Sequence, residues 1–98
     1  MTSGGSGPAR ATCRLEIKNR LGLHARAAAL LVQTVTQFDA EITISKDDQT
    51  VNGKSILGLM MLAAGQGSSI EVAADGPDAQ AALDAIAALV EAKFKEDA

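Results

Sequence analysis

Residues 12–33 read TCRLEIKNRLGLHARAAALLVQ, and the apolar spacing changes partway along. Over 12–18, Cys13, Leu15 and Ile17 alternate with Arg14, Glu16 and Lys18. A period of two is that of a half-buried strand, with the apolar set turned to a core. NRLGL (19–23) is a loop. From Ala25 to about Thr36 the period becomes 3.6: Ala28, Leu31, Val32 and Val35 share one stripe, closed by Phe38. A strand that hands over to an amphipathic helix sets the scheme for the rest of the chain.

EITIS (41–45) alternates again, with Ile42 and Ile44 inward. KDDQ (46–49) is a turn, which makes TVNG (50–53) a short returning strand. Ser55 to about Leu62 is an apolar segment of one or two helical turns, ended by GQG (65–67). Within it Leu59, Met61 and Leu62 are expected in the core. SSIEVAAD (68–75) alternates with Ile70, Val72 and Ala74 inward. Gly76, Pro77 and Asp78 open a last helix to about Phe94, Pro being acceptable in a first turn where its missing N–H has no partner. Its stripe is Ala82, Leu83, Ile86, Leu89, Val90 and Phe94. The order βαββαβα predicts an α+β fold: four strands in an antiparallel or mixed sheet, with helices on one face.

The totals narrow the function. Ninety-eight residues, 47% hydrophobic and 21% charged, make one globular domain. Two segments are expected: a Gly/Ser/Pro-rich flexible leader over 1–11 and a single domain over 12–98. Phe38 and Phe94 are the only aromatics, so the core is aliphatic and no platform exists for stacking bases. A net charge of -3 without a basic stripe argues against nucleic acid. The single cysteine, Cys13, cannot form an internal disulfide and suits a reducing compartment. No apolar run is long enough to span a membrane, and the start lacks the apolar middle of a signal peptide. A cytoplasmic protein is expected.

His24, the only histidine, stands at the mouth of the first predicted helix, two residues before Arg26. Such a start exposes unpaired N–H groups and about half a positive charge. Structural helix starts favour Ser, Thr, Asp or Asn as cap and acids in the first turn. Here no acid occurs between Glu16 and Asp39, and Arg26 adds a cation that costs roughly 0.3–1 kcal/mol. The arrangement makes sense if an anion visits, met by N–H groups, dipole and guanidinium together. A histidine there is a nucleophile of near-neutral pKa, and the positive helix end disfavours its protonated form. That is the chemistry of a phosphoryl-accepting histidine. On these residues alone, a capping or surface histidine beside a solvated arginine remains the commoner explanation. One histidine and one distant cysteine do not make a metal site, and no catalytic triad can be read.

GLHARAAALLVQ, FDAEITI, GKSILGLMML, GQGSSIEVAADG and the alanine-rich last helix together resemble the HPr family over about residues 12–94. These are the histidine-containing phosphocarriers of the bacterial phosphoenolpyruvate-dependent phosphotransferase system. The resemblance implies an open-faced β-sandwich of four antiparallel strands with three helices on one face. It implies that His24 accepts phosphate through Nδ1 from phosphorylated enzyme I and passes it to an enzyme IIA. It further implies that Arg26 steadies the phosphate, beside the backbone N–H groups of Ala25 and Ala27. Ala27 departs from the family, which usually has proline there; alanine adds a donor and keeps the helix. Such a carrier is not an enzyme, needs no metal or organic cofactor, and is expected to be a monomer.

Ser55 matches the serine that an HPr kinase/phosphorylase modifies in many bacteria. It is also a good N-cap for 56–62, and capping alone would explain it. Ile56, Leu57 and Met60 form a second apolar set that, exposed, would suit a partner surface; burial in the core is the alternative. The resemblance adds Ala25, Arg26, Ala29 and Gln33 of the first helix to the contacts with enzyme I and enzyme IIA. Two other functions share parts of the pattern. The nitrogen-type branch uses a paralogue with the same histidine, though it usually departs from GKSILG. An ACT-like domain, which binds a small molecule, has a similar element order but would need neither His24 nor Arg26.

Overall fold

The computed structural model describes residues 10–96. The expected leader falls on residues 1–9, outside the described part, except at Arg10 and Ala11. Those two belong to the first strand, because they pair with Asp75 and Ala74. Seven main elements run in the predicted order: β1 (Arg10–Glu16), α1 (Ala25–Val35), β2 (Glu41–Lys46), β3 (Gln49–Asn52), α2 (Ile56–Met61), β4 (Ser69–Asp75) and α3 (Ala79–Glu91). A tight turn, Lys93–Lys95, ends the described chain.

The sheet has the order β1-β4-β2-β3 with every neighbour antiparallel. Alternation puts one row of side chains against the next. Cys13 lies opposite Val72, Val72 opposite Ile44, and Ile44 opposite Val51, so one apolar line crosses all four strands. Ile44 and Val72 are fully buried in it. The interleaved residues Arg14, Glu71 and Thr43 face the other way and stay exposed, which leaves that side of the sheet uncovered.

The helices close the apolar face. In α1 the buried residues are Ala27, Ala28, Leu31 and Val35. Val32, expected on this stripe, and Phe38 pack only partly buried at its edge. The small side chains of Ala27 and Ala28 let the helix start lie close over the sheet. From α2, Leu59 and Leu62 enter the core as expected. Met61, expected beside them, is instead 62% exposed. With two helical turns only, α2 can bury one narrow stripe, and Leu59 with Leu62 at i, i+3 fills it.

The last helix departs from expectation at both ends. Pro77 lies before the cap, which is Asp78, and therefore outside the first turn. The Asp78 side chain makes no capping bond to its own helix: its carboxylate accepts the Asp39 N–H at 2.7 Å, while its backbone N–H donates to the Asp39 carbonyl at 3.1 Å, pinning the α1–β2 connection. At the other end α3 stops at Glu91, and Phe94 reaches the core by a different route. Lys93, Phe94 and Lys95 all have φ between 53° and 61°, a left-handed turn that costs ordinary residues about 1–2 kcal/mol each. The buried Phe94 ring and the hydrogen bonds that the Glu96 carboxylate accepts from residues 19–21 offset that cost.

Candidate functional site

His24 is the N-cap of α1, with extended backbone (φ -80°, ψ -179°). Its side chain does not cap the helix, and the first turn carries no acid. The Ala28 N–H is the first to bond back, to the His24 carbonyl at 2.8 Å. The N–H groups of Ala25, Arg26 and Ala27 thus have no acceptor within the helix. Arg26 is exposed beside them and, among the described residues, has no ion pair. Ala27 is buried and has no exposed surface, which leaves Ala25 and Arg26 as the accessible residues of the first turn.

The loop that presents His24 is held at three places. Leu23 is buried and donates its N–H to the Ala64 carbonyl at 2.9 Å, tying the loop to the end of α2. Gly22 adopts φ +66°, where a Cβ would lie 2.5 Å from the Ala64 carbonyl oxygen. Only glycine meets both demands. Asn19 is fully buried, and its side-chain amide donates to the Gly22 carbonyl at 2.8 Å. The reading of 19–23 as a plain loop missed this asparagine. A polar residue directly after a strand carries no sign of burial in its own identity.

The ring of His24 is half-buried, with Nδ1 3.0 Å from the Gly22 carbonyl oxygen. A carbonyl only accepts, so in this arrangement Nδ1 bears the proton and the lone pair is on Nε2. Attack through Nδ1 requires the ring to leave this carbonyl first and to carry its proton on Nε2.

On α1, Ala25, Arg26, Ala29 and Gln33 follow one another on a single side, and Ala29 alone of these is partly covered. Ser55 is the N-cap of α2, its hydroxyl accepting the Gly58 N–H at 3.0 Å. The capping role read from the sequence is therefore present. Ile56, Leu57 and Met60 are 42%, 70% and 42% exposed, so these three are not part of the core. Two further apolar residues are exposed and were not expected to be: Met61, and Leu21 at 62% in the loop before His24. An apolar side chain in a loop, with no periodicity around it, gives no signal of its own.

The family model for the PTS HPr component phosphorylation site matches residues 11–92. The chain belongs to the HPr family. The HPr phosphocarrier of Treponema pallidum is 48% identical over 83 residues, which is 85% of this chain and 94% of that protein. The phosphocarrier NPr of Shewanella violacea is 52% identical over 83 residues, covering 85% and 91%. The crystal structure of HPr-C-His from Thermoanaerobacter tengcongensis matches with a TM-score of 0.85 at 44% identity, covering 90% of this chain and 99% of that one. HPr membership makes the protein a phosphoryl carrier of the phosphotransferase system rather than an enzyme. It implies enzyme I and an enzyme IIA as the kinds of partner. The open-faced fold expected from the resemblance is the fold found. No helix among the described residues is long and apolar enough to cross a membrane.

Proposed function

We propose that this HPr protein takes a phosphoryl group onto His24 from phosphorylated enzyme I and passes it to an enzyme IIA of the sugar phosphotransferase system, in the cytoplasm and as a single chain. The observation that carries the reading is the start of α1. Three N–H groups without helical acceptors, the helix dipole and the exposed Arg26 surround a histidine that does not spend its side chain on capping.

In the forward step a lone pair on Nδ1 attacks the phosphorus held by the donor. The new N–P bond forms as the donor's bond to phosphorus breaks, and its electron pair leaves with the donor. The Nδ1 proton has already been given up to solvent, and Nε2 has gained one. Arg26 and the Ala25 N–H group meet the phosphoryl oxygens, whose charge they stabilise equally on arrival and departure, while the Ala27 N–H, buried behind them, acts through the helix dipole. A carrier needs that symmetry, since too tight a hold would block delivery.

Leu57 and its neighbours Ile56 and Met60, with Ala29 and Gln33 of α1, form the docking face for both partners. A flat, methionine-containing patch suits successive partners of different shape. Ser55 lies at the edge of this face, and phosphate added by an HPr kinase/phosphorylase would put negative charge beside it without removing the helix. A second reading places the protein in the nitrogen-type branch, and the 52% identity to an NPr favours keeping it in view. GKSILG (53–58) favours the sugar branch.

The test uses phosphoenolpyruvate, Mg²⁺ and the organism's enzyme I, with intact mass read at neutral pH and again after acid. One acid-labile phosphate in the wild type, absent from His24→Ala, is expected. Delivery from the charged carrier to a sugar-type or a nitrogen-type enzyme IIA then separates the two branches. No uptake, with that enzyme I active on another carrier, overturns the proposal.

A further inference from the structure

The C-terminal turn and the His24 loop are joined by a run of hydrogen bonds. Glu96 folds back over residues 19–21. Its carboxylate accepts the Arg20 N–H at 2.8 Å, the Leu21 N–H at 3.3 Å and the Asn19 side-chain amide at 2.9 Å. The same Asn19 amide gives its other proton to the Gly22 carbonyl at 2.8 Å. That carbonyl is the one facing His24 Nδ1 at 3.0 Å. Four groups therefore stand in series: carboxylate, amide, carbonyl and imidazole.

Asn19 has no exposed surface, and its Oδ1 finds no partner among the described residues. The side chain is thus retained with one polar atom unsatisfied, a cost that hydrogen bonds on its Nδ2 must outweigh. Gly22 cannot gain a side chain without meeting Ala64, and among the described residues its carbonyl accepts no backbone N–H, so the Asn19 amide and the His24 ring are its partners. Glu96 reaches the loop only because Lys93, Phe94 and Lys95 turn left-handed with Phe94 buried. The strain in these three consecutive residues both buries Phe94 and brings the Glu96 carboxylate to the Asn19 amide and the Arg20 and Leu21 N–H groups.

We infer that Glu96 and Asn19 are positioning residues that set the tautomer of His24, holding the proton on Nδ1 against Gly22 in the uncharged carrier. Through them the C-terminal turn governs which ring nitrogen offers a lone pair. Loss of the carboxylate frees Asn19, loosens its grip on the Gly22 carbonyl, and lets the ring take the other tautomer. The Asn19 hydrogen bond, helped by the Leu21 and Arg20 N–H groups and by His24 against some desolvation, holds the Glu96 carboxyl below the usual carboxylate range, so it accepts as an anion at neutral pH. The inference rests on His24 being the phosphoryl acceptor, but its physical content is the state of the ring.

The test is nitrogen NMR of the ¹⁵N-labelled ring in the full chain, at about pH 8.5, some two units above the ordinary histidine pKa of ~6.5. The wild type is expected mainly as the Nδ1–H form. Glu96→Ala is expected to raise the Nε2–H population about threefold or more, the shift expected when one neutral hydrogen bond is weakened. Lys95→Ala, which alters the same turn at a residue with no hydrogen bond or ion pair to the loop among the described residues, is expected to leave the ratio as it was. An unchanged ratio in Glu96→Ala overturns the inference, and so does an equal shift in Lys95→Ala, which would mean that general loosening of the turn is responsible. Failure of phosphoryl uptake by the wild type would instead defeat the carrier reading and leave the tautomer ratios standing, so the two failures are distinct.

Discussion

Leu23 donates its N–H to the Ala64 carbonyl, and the same carbonyl oxygen sits where a side chain on Gly22 would have to go. The loop carrying His24 is thereby locked to the end of α2, which brings the two helices of the proposed docking face into one rigid frame.

Gly22→Ala breaks that lock. The added Cβ meets backbone rather than a yielding side chain, and the residue must hold φ +66° as well. We expect a loss of about 2 kcal/mol or more, from strain together with overpacking. Urea unfolding would show it as a lower midpoint at unchanged slope.

His24→Ala should separate chemistry from stability. The ring is half-buried and its one hydrogen bond is local, to Gly22. A melting temperature within a few degrees of wild type is expected, with phosphoryl uptake abolished. Loss of the folded circular-dichroism signal would show that the ring is part of the structure.

Ser55→Ala removes the oxygen that accepts the Gly58 N–H and should cost about 1 kcal/mol. Ser55→Asp keeps an effective cap and adds charge at the edge of the docking face. Titration calorimetry with enzyme I should give weaker binding for Ser55→Asp at near-normal stability.

Leu57 and Leu59 test the two sides of α2. Leu57 is 70% exposed and Leu59 fully buried. Leu59→Ala should cost about 2–5 kcal/mol, whereas Leu57→Ala should change stability by less than about 0.5 kcal/mol and weaken partner binding. Equal losses of stability in thermal melts would contradict this division.

Acid should release Glu96 before it unfolds the domain. Its carboxyl is held down in the folded state, chiefly by Asn19, so its contribution is complete above the unfolded value of ~4.3 and fades as pH falls through the lower folded value. The Asn19 side-chain amide signals should move over that acidic range while the Ile44 and Val72 signals hold. Movement of both sets together would mean that the turn and the core unfold as one.

The order of elements was legible because each β segment alternates and each long helix keeps a clear stripe. Ile42, Ile44, Ile70 and Val72 all face where their spacing puts them. His24 was legible as an anomaly: a helix start with a cation where a cap and an acid belong. Met61 and Phe94 were not. Met61 lies within reach of a stripe that Leu59 and Leu62 already fill. Phe94 falls in phase with α3, yet the helix ends three residues earlier and the chain turns left-handed. Nothing in Lys93, Phe94 and Lys95 favours that conformation locally, so only tertiary contacts could impose it. Asn19 and Glu96 lie 77 positions apart, and no local pattern links them.

The sheet order has a consequence for how the protein is made. Strand β4 lies between β1 and β2, and Asp75 stands opposite Arg10 on one side and Glu41 on the other. Until β4 has left the ribosome, β1 has no neighbour and β2 has only the short β3. The loop with His24 comes directly after β1 and borrows its support from Ala64 and Glu96, both synthesised later. A chain broken off before Ser69 would thus carry the histidine and Ala64 but neither the strand that joins β1 to β2 nor the Glu96 carboxylate, and such a fragment is expected to stay unfolded.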